Sequence, residues 1–130
     1  MAGKSDYAEN KVLELLVGKT GFTLPTAFVA LFTAAPTDAG GGTEVSGGSY
    51  ARKSTAGSDW NTAASGSINN ANAITFVTPT AGWGTVTHFA LFDASSGGNM
   101  LGWAALTNSR TPASGDTVRF AAGALVLTED

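Results

Sequence analysis

The chain nearly repeats one phrase, and that phrase limits what it can fold into. Residues 28–34 read Phe-Val-Ala-Leu-Phe-Thr-Ala, and residues 88–94 read His-Phe-Ala-Leu-Phe-Asp-Ala. The shared core is Ala-Leu-Phe-x-Ala, from Ala30 to Ala34 and again from Ala90 to Ala94. Neither copy has the three-to-four-residue spacing of a surface helix. A short apolar run bounded by turn residues reads instead as a strand buried on both faces. Each copy is followed by a Gly-rich, weakly charged turn region. The separation is too long for a solenoid or propeller period, so the two strands are expected to occupy related places in one core.

The rest of the chain agrees with an all-β reading. Strands are predicted at about Ala27–Thr33, Tyr50–Thr55, Ala73–Thr78, Thr85–Phe92, Met100–Leu106, Thr117–Phe120 and Ala124–Leu127, with Gly, Pro, Asn, Asp and Ser between them. About seven to eight short strands with turns near every ten residues are the cue for a β-sandwich or small barrel. In the fourth strand Val86, His88, Ala90 and Phe92 should share one face, and Thr87, Phe89 and Leu91 the other. One helix is predicted, from Asp6 to Val17. Asp6 and Glu9 match a capping box, and Ala8, Val12, Leu15 and Leu16 form the face that must dock, on the same domain or on a neighbour. Gly18 stands at the left-handed C-terminal position, with Lys19 just beyond. Residues 1–130 read as a single domain, with an N-terminal arm and helix over 1–20 and a Gly-rich flexible loop over 35–48.

Composition narrows the function. There is no Cys, which removes disulfides, thiolate metal sites and Cys nucleophiles. Charged residues make up 13% of the chain and the net charge is −3. The only basic cluster is Arg52-Lys53, so a phosphate-neutralising surface, and with it nucleic acid, is not expected. The polar N-terminus lacks the apolar stretch of a secretory signal, and no apolar run is long enough to span a membrane. The expected setting is the cytoplasm, or something assembled there.

Catalytic motifs were sought in turn. Gly18-Lys19-Thr20 resembles the end of a phosphate-binding loop, but Leu13 stands where the leading Gly belongs, so it reads as a helix end. His88, the lone histidine, sits on an apolar strand and reads as structural. It leaves no conventional zinc site, and Gly-x-Ser-x-Gly is absent. Asp93 to Asn99 reads as a turn rather than a calcium loop. The carboxylates are dispersed, with no pair suited to acid–base work. The expectation is a non-enzymatic protein with no catalytic residues, cofactor or metal. The aromatic and Arg side chains are more informative, because Trp, Tyr and Arg dominate interface hot spots. Tyr7, Tyr50, Arg52, Trp60, Trp83 and Arg110 form the candidate partner interface. Trp60 leads, because Ser58-Asp-Trp-Asn-Thr is polar and loop-like. Against this stands the reading that the Trp residues cap the core.

Four blocks carry a family resemblance. Ser5-Asp-Tyr-Ala-Glu-Asn-Lys-Val-Leu, Ala30-Leu-Phe-Thr-Ala-x-Pro, Gly42-Thr-Glu-Val-Ser-Gly-Gly-Ser-Tyr-Ala-Arg and Trp83-Gly-Thr-Val-Thr-His-Phe-Ala-Leu-Phe-Asp-Ala resemble small structural proteins of tailed bacteriophages. The resemblance implies a virion part with no catalytic residues. Its size and a jelly-roll-like β-sandwich are similar to capsid cement, or decoration, proteins. That role implies the major capsid protein and further copies of the chain as partners. Sequences of this kind are also labelled tail fibre proteins. The alternative is therefore a tail-fibre or tail-adaptor protein, with tail proteins or a host surface glycan as partners.

Overall fold

Turn residues cut this chain into many short strands. A computed structural model describes residues 2–129. Among the described residues the order is β1 (Gly3–Lys4), α1 (Asp6–Leu16), β2 (Ala27–Ala34), β3 (Thr43–Glu44), β4 (Lys53–Thr55), β5 (Ser67–Asn69), β6 (Ile74–Thr75), β7 (Val86–Phe92), β8 (Met100–Arg110), β9 (Arg119–Phe120) and β10 (Val126–Thr128). A single 3-10 turn, Gly57–Asp59, lies between β4 and β5. All pairings are antiparallel, so the chain is an all-β fold with one helix, as expected. The main sheet runs β1-β8-β7-β2, and β3 and β4 share the outer side of β2. Two ribbons, β5 with β10 and β6 with β9, complete the strands.

The repeated phrase pairs with itself. Ala30 lies opposite Ala90, Leu31 opposite Phe89, Val29 opposite Leu91, Phe32 opposite His88 and Phe28 opposite Phe92. The two copies are thus adjacent antiparallel strands with the alanine pair at their centre. On one face Val29, Leu31, Phe89 and Leu91 join Ile74 and Phe120 of the β6–β9 ribbon, together with Phe76, Val118 and Leu125, in the larger core. On the other face Ala30 and Ala90 adjoin Phe32, Met100 and Trp103 in a smaller cluster. The small alanines leave room between the strands, and the Phe32 and Phe92 rings stack there at 6.3 Å with planes 3° apart. Burial of both faces explains why the phrase has no polar alternation.

Two irregularities move side chains off the expected faces. Between Val86 and His88 the partner on β8 jumps from Arg110 to Ala105. Val86 therefore joins Phe89 and Leu91 in the larger core, not His88 and Ala90. A second shift, between Leu91 and Phe92, leaves Leu101 as the extra residue on β8 and lets Met100 and Trp103 share a face. Strand lengths also differ from expectation. β8 runs on to Arg110, while β4 begins only at Lys53. The chain is still turning before β4, with left-handed φ of 56° at Gly48 and 63° at Ser49. A Cβ at Gly48 would meet the Ala81 carbonyl at 2.7 Å, so glycine is required there.

The 35–48 stretch folds back on the sheet. Pro36 and Val45 are buried, and β3 pairs with the end of β2. Val45 N–H donates to the Leu31 carbonyl at 2.9 Å. Helix α1 starts at Asp6 as expected and ends one residue early, at Leu16, but its cap is Ser5 and not Asp6. Ser5 Oγ accepts from Ala8 N–H at 3.1 Å and donates to the Met100 carbonyl, while Ser5 N–H donates to the Leu101 carbonyl at 3.0 Å. One side chain thus caps the helix and ties it to β8. The far end closes as predicted: Gly18 has φ +81°, its N–H donates to the Leu15 carbonyl, and Lys19 N–H donates to that of Glu14. Of the expected docking face only Ala8 is buried. Val12 is half-buried, and Leu15 and Leu16 are exposed. The helix is pinned at its first turn, and its last turn has no sheet beneath it.

Candidate functional site

Three side chains that approach one another only in the fold form the best-built polar cluster. Glu44 comes from β3, and Tyr50 and Arg52 from the segment before β4. Arg52 Nε and Nη2 donate to Glu44 Oε2 and Oε1, each at 2.9 Å, in a bidentate pair. Tyr50 O–H donates to Glu44 Oε2 at 2.7 Å and accepts from Leu31 N–H at 3.0 Å. Tyr50 thus satisfies the one β2 donor left between β3 and β4. Arg52 also donates to the carbonyls of Ala94 and Gly97, both at 2.9 Å, and its guanidinium lies 3.7 Å from the centre of the Phe92 ring. The pair is well covered, with 8% of the Arg52 and 25% of the Glu44 side chain exposed. Every contact is internal, so the cluster is a clamp that fastens β3 and the 93–99 turn to the sheet.

The clamp sets a pH dependence. Burial alone would raise the Glu44 carboxyl, but the hydrogen bonds from Arg52 and Tyr50 and the guanidinium charge outweigh it and hold it below its ordinary value. Asp93 behaves alike: burial pushes it up, and bonds from the Asn99 side chain and backbone push it down further. Burial and the Glu44 bond raise the Tyr50 phenol. A carboxyl depressed by folding adds stability that is complete above its unfolded value and is lost as pH falls through its folded value. With ordinary values of 4.5 for Glu44 and 3.8 for Asp93, urea midpoints should hold from neutral pH to about 5 and then fall. Glu44→Gln should be less stable at pH 7 and flatter below 5; an acid loss as steep as that of the parent would refute the assignment.

The other candidate residues are scattered. Trp83 is a core residue, 4% exposed, with Nε1–H donating to the Gly48 carbonyl at 2.9 Å. Trp60 is half-buried against the larger core and donates to Thr55 Oγ1 at 3.0 Å. The Arg110 guanidinium lies 4.3 Å from the centre of the Phe120 ring and bonds the Arg119 carbonyl. Tyr7 meets Phe22 edge-on at 6.3 Å beside the helix. Tyr50 and Arg52 come together on Glu44, and the Tyr50 ring meets that of Trp83 edge-on at 5.3 Å, while Tyr7, Trp60 and Arg110 stand apart. His88 is half-buried, with Nδ1 2.8 Å from Thr87 Oγ1 and its ring 5.9 Å from that of Trp103. The Asp93–Asn99 segment is a turn closed on itself, Asp93 accepting from Asn99 N–H at 2.7 Å.

The outward-facing feature lies elsewhere. Leu13, Leu16 and Val17 at the free end of α1 are 61%, 74% and 73% exposed, and Leu24 in the following segment is fully exposed. The chain turns back beside the helix, where a Cβ on Gly21 would lie 2.7 Å from that of Leu15. Near the other end of α1 the carboxylates of Asp6, Glu9 and Asp38 lie within 4.8 Å of one another. The run Leu13-Glu-Leu-Leu-Val was the available signal, because it carries apolar residues on more than one helix face.

A family model described as Podophage GP4 fiber I protein gp80 matches residues 3–128. No curated protein matches the chain. Among the described residues, no helix is long and apolar enough to cross a membrane.

Proposed function

The chain belongs to the Podophage GP4 fiber I protein gp80 family, and from that premise we propose that it is a non-enzymatic tail-fibre component of a podophage virion. Membership makes it a phage structural protein. The observation that carries the finer reading is the extent of the match, which takes in the anchored helix, the paired phrase and both ribbons. The match favours the tail-fibre alternative over the capsid cement reading. Strands of two to eleven residues in a closed set of antiparallel pairs do not suit a long repetitive shaft. They suit a compact unit that joins other tail proteins or meets the host surface. The bare apolar end of α1 supports a role in assembly, since exposed apolar patches of this kind mark interaction sites.

Imaging of particles carrying an affinity label on this chain tests the proposal. Label at the tail is expected. Label on the head shell, with shells lacking the chain rupturing at lower temperature, would overturn it in favour of capsid cement.

A further inference from the structure

We infer that the free end of α1 is a self-association surface, on which a second copy of the chain packs its own α1 antiparallel. This goes beyond the tail assignment and does not depend on it. Leu13, Leu16 and Val17 share one side of the helix end and expose on the order of 400 Å² per chain, within the range of the largest, often functional, patch on a monomer surface. Two copies face to face would cover on the order of 800 Å², the size of a weak, transient contact. The patch therefore suits a weak, concentration-dependent dimer when a partner of equal size meets it.

Charge supplies the orientation. The carboxylates of Asp6, Glu9 and Asp38 crowd together, and among the described residues no basic side chain is paired to them. Lys19, past the last turn, is exposed and has no ion pair among the described residues either. Glu9 lies five residues before Glu14, and Lys19 five after it. At 1.5 Å per helical residue Glu9 stands roughly 7 Å from a dyad placed there, and Lys19, past the Gly18 ending, lies at the opposite end of the helix from it. An antiparallel pair centred on that point sets each acidic cluster against the other copy's Lys19, twice per dimer. The same arrangement puts Leu13 and Leu16 at the centre and opposes the helix dipoles favourably. Glu14, beside the dyad, is held by Lys11 of its own chain at 3.7 Å. A parallel pair would bring like charges together at both ends.

Sedimentation velocity on the purified chain tests this without a particle. A concentration-dependent dimer is expected. Leu13→Glu with Leu16→Glu should weaken it more than tenfold, with the circular dichroism unchanged because both positions are exposed. Lys19→Glu should weaken it roughly three- to tenfold, and adding Glu9→Lys to it should restore the affinity. A chain that stays monomeric at every concentration would overturn the inference and assign the patch to a different protein. So would a double charge swap no tighter than Lys19→Glu alone. Tail labelling with a monomeric chain would sink the inference alone; dimers with head labelling would sink the proposed function alone.

Discussion

Replacing Phe89 with alanine should cost about 4 kcal/mol and lower the melting temperature by roughly 15 °C. Phe89 is fully buried at the centre of β7, opposite Leu31 on β2 and Ala104 on β8. Both neighbouring strands hold the β7 backbone, so the sheet cannot close over the space left by the ring. The cost is therefore the lost transfer energy of the ring plus that of the cavity. Phe89→Leu, which keeps most of the volume, should cost about 1 kcal/mol. Urea unfolding followed by fluorescence and far-UV circular dichroism measures both. A loss below about 2 kcal/mol for the alanine variant would mean that the cluster repacks, and that the paired phrase is not the centre of the core.

The second large effect is expected at Arg52. Arg52→Ala strands a partly buried Glu44 carboxylate with Tyr50 as its remaining side-chain donor, and it frees the Ala94 and Gly97 carbonyls. Removing one partner of a buried ion pair typically costs 3–5 kcal/mol, and with Glu44 one quarter exposed about 3 kcal/mol is expected. Arg52→Lys should recover less than half. An ammonium cannot present the two-pronged fork to Glu44, cover the Phe92 ring and reach two carbonyls at once. Hydrogen exchange gives a separate reading: amides around 93–99 and 43–45 should exchange faster in Arg52→Ala, while those of β7 keep their order of protection. Uniform acceleration across the chain would show that Arg52 contributes only to global stability, and not to fastening these two segments.

Periodicity and turn chemistry made much of the fold legible. The paired phrase, the helix with its Gly18 ending, and the strand at Val86–Phe92 follow from local rules that no distant contact overrides. The errors are tertiary. The face of Val86 depends on an irregularity in its partner strand, which its own alternation cannot show. The cap at Ser5 rather than Asp6 is decided by the Met100 carbonyl, far along the chain. Tyr50 and Arg52 were singled out as residue types suited to partners, but Glu44 converges on both and turns them inward. Trp83 likewise spends its N–H on Gly48. Leu15 and Leu16 satisfy the pattern of a docked helix whether the partner surface is their own sheet or a neighbour, so the pattern alone leaves the choice open. Whether a sheet lies beneath the last turn is a matter of where the first turn is fastened.

The borders of the main sheet carry a consequence of their own. One border is β1, whose two residues pair with Gly102 and Trp103 of the longer β8; the other is divided between β3 and β4, of two and three residues, with a tyrosine hydroxyl between them. On the second border a foreign backbone looking for a run of unpaired peptide groups finds no template long enough to copy. Copies that meet along this border are therefore kept from zipping together strand by strand into amyloid-like aggregates. Growth is directed to side-chain surfaces, where geometry limits the number of neighbours.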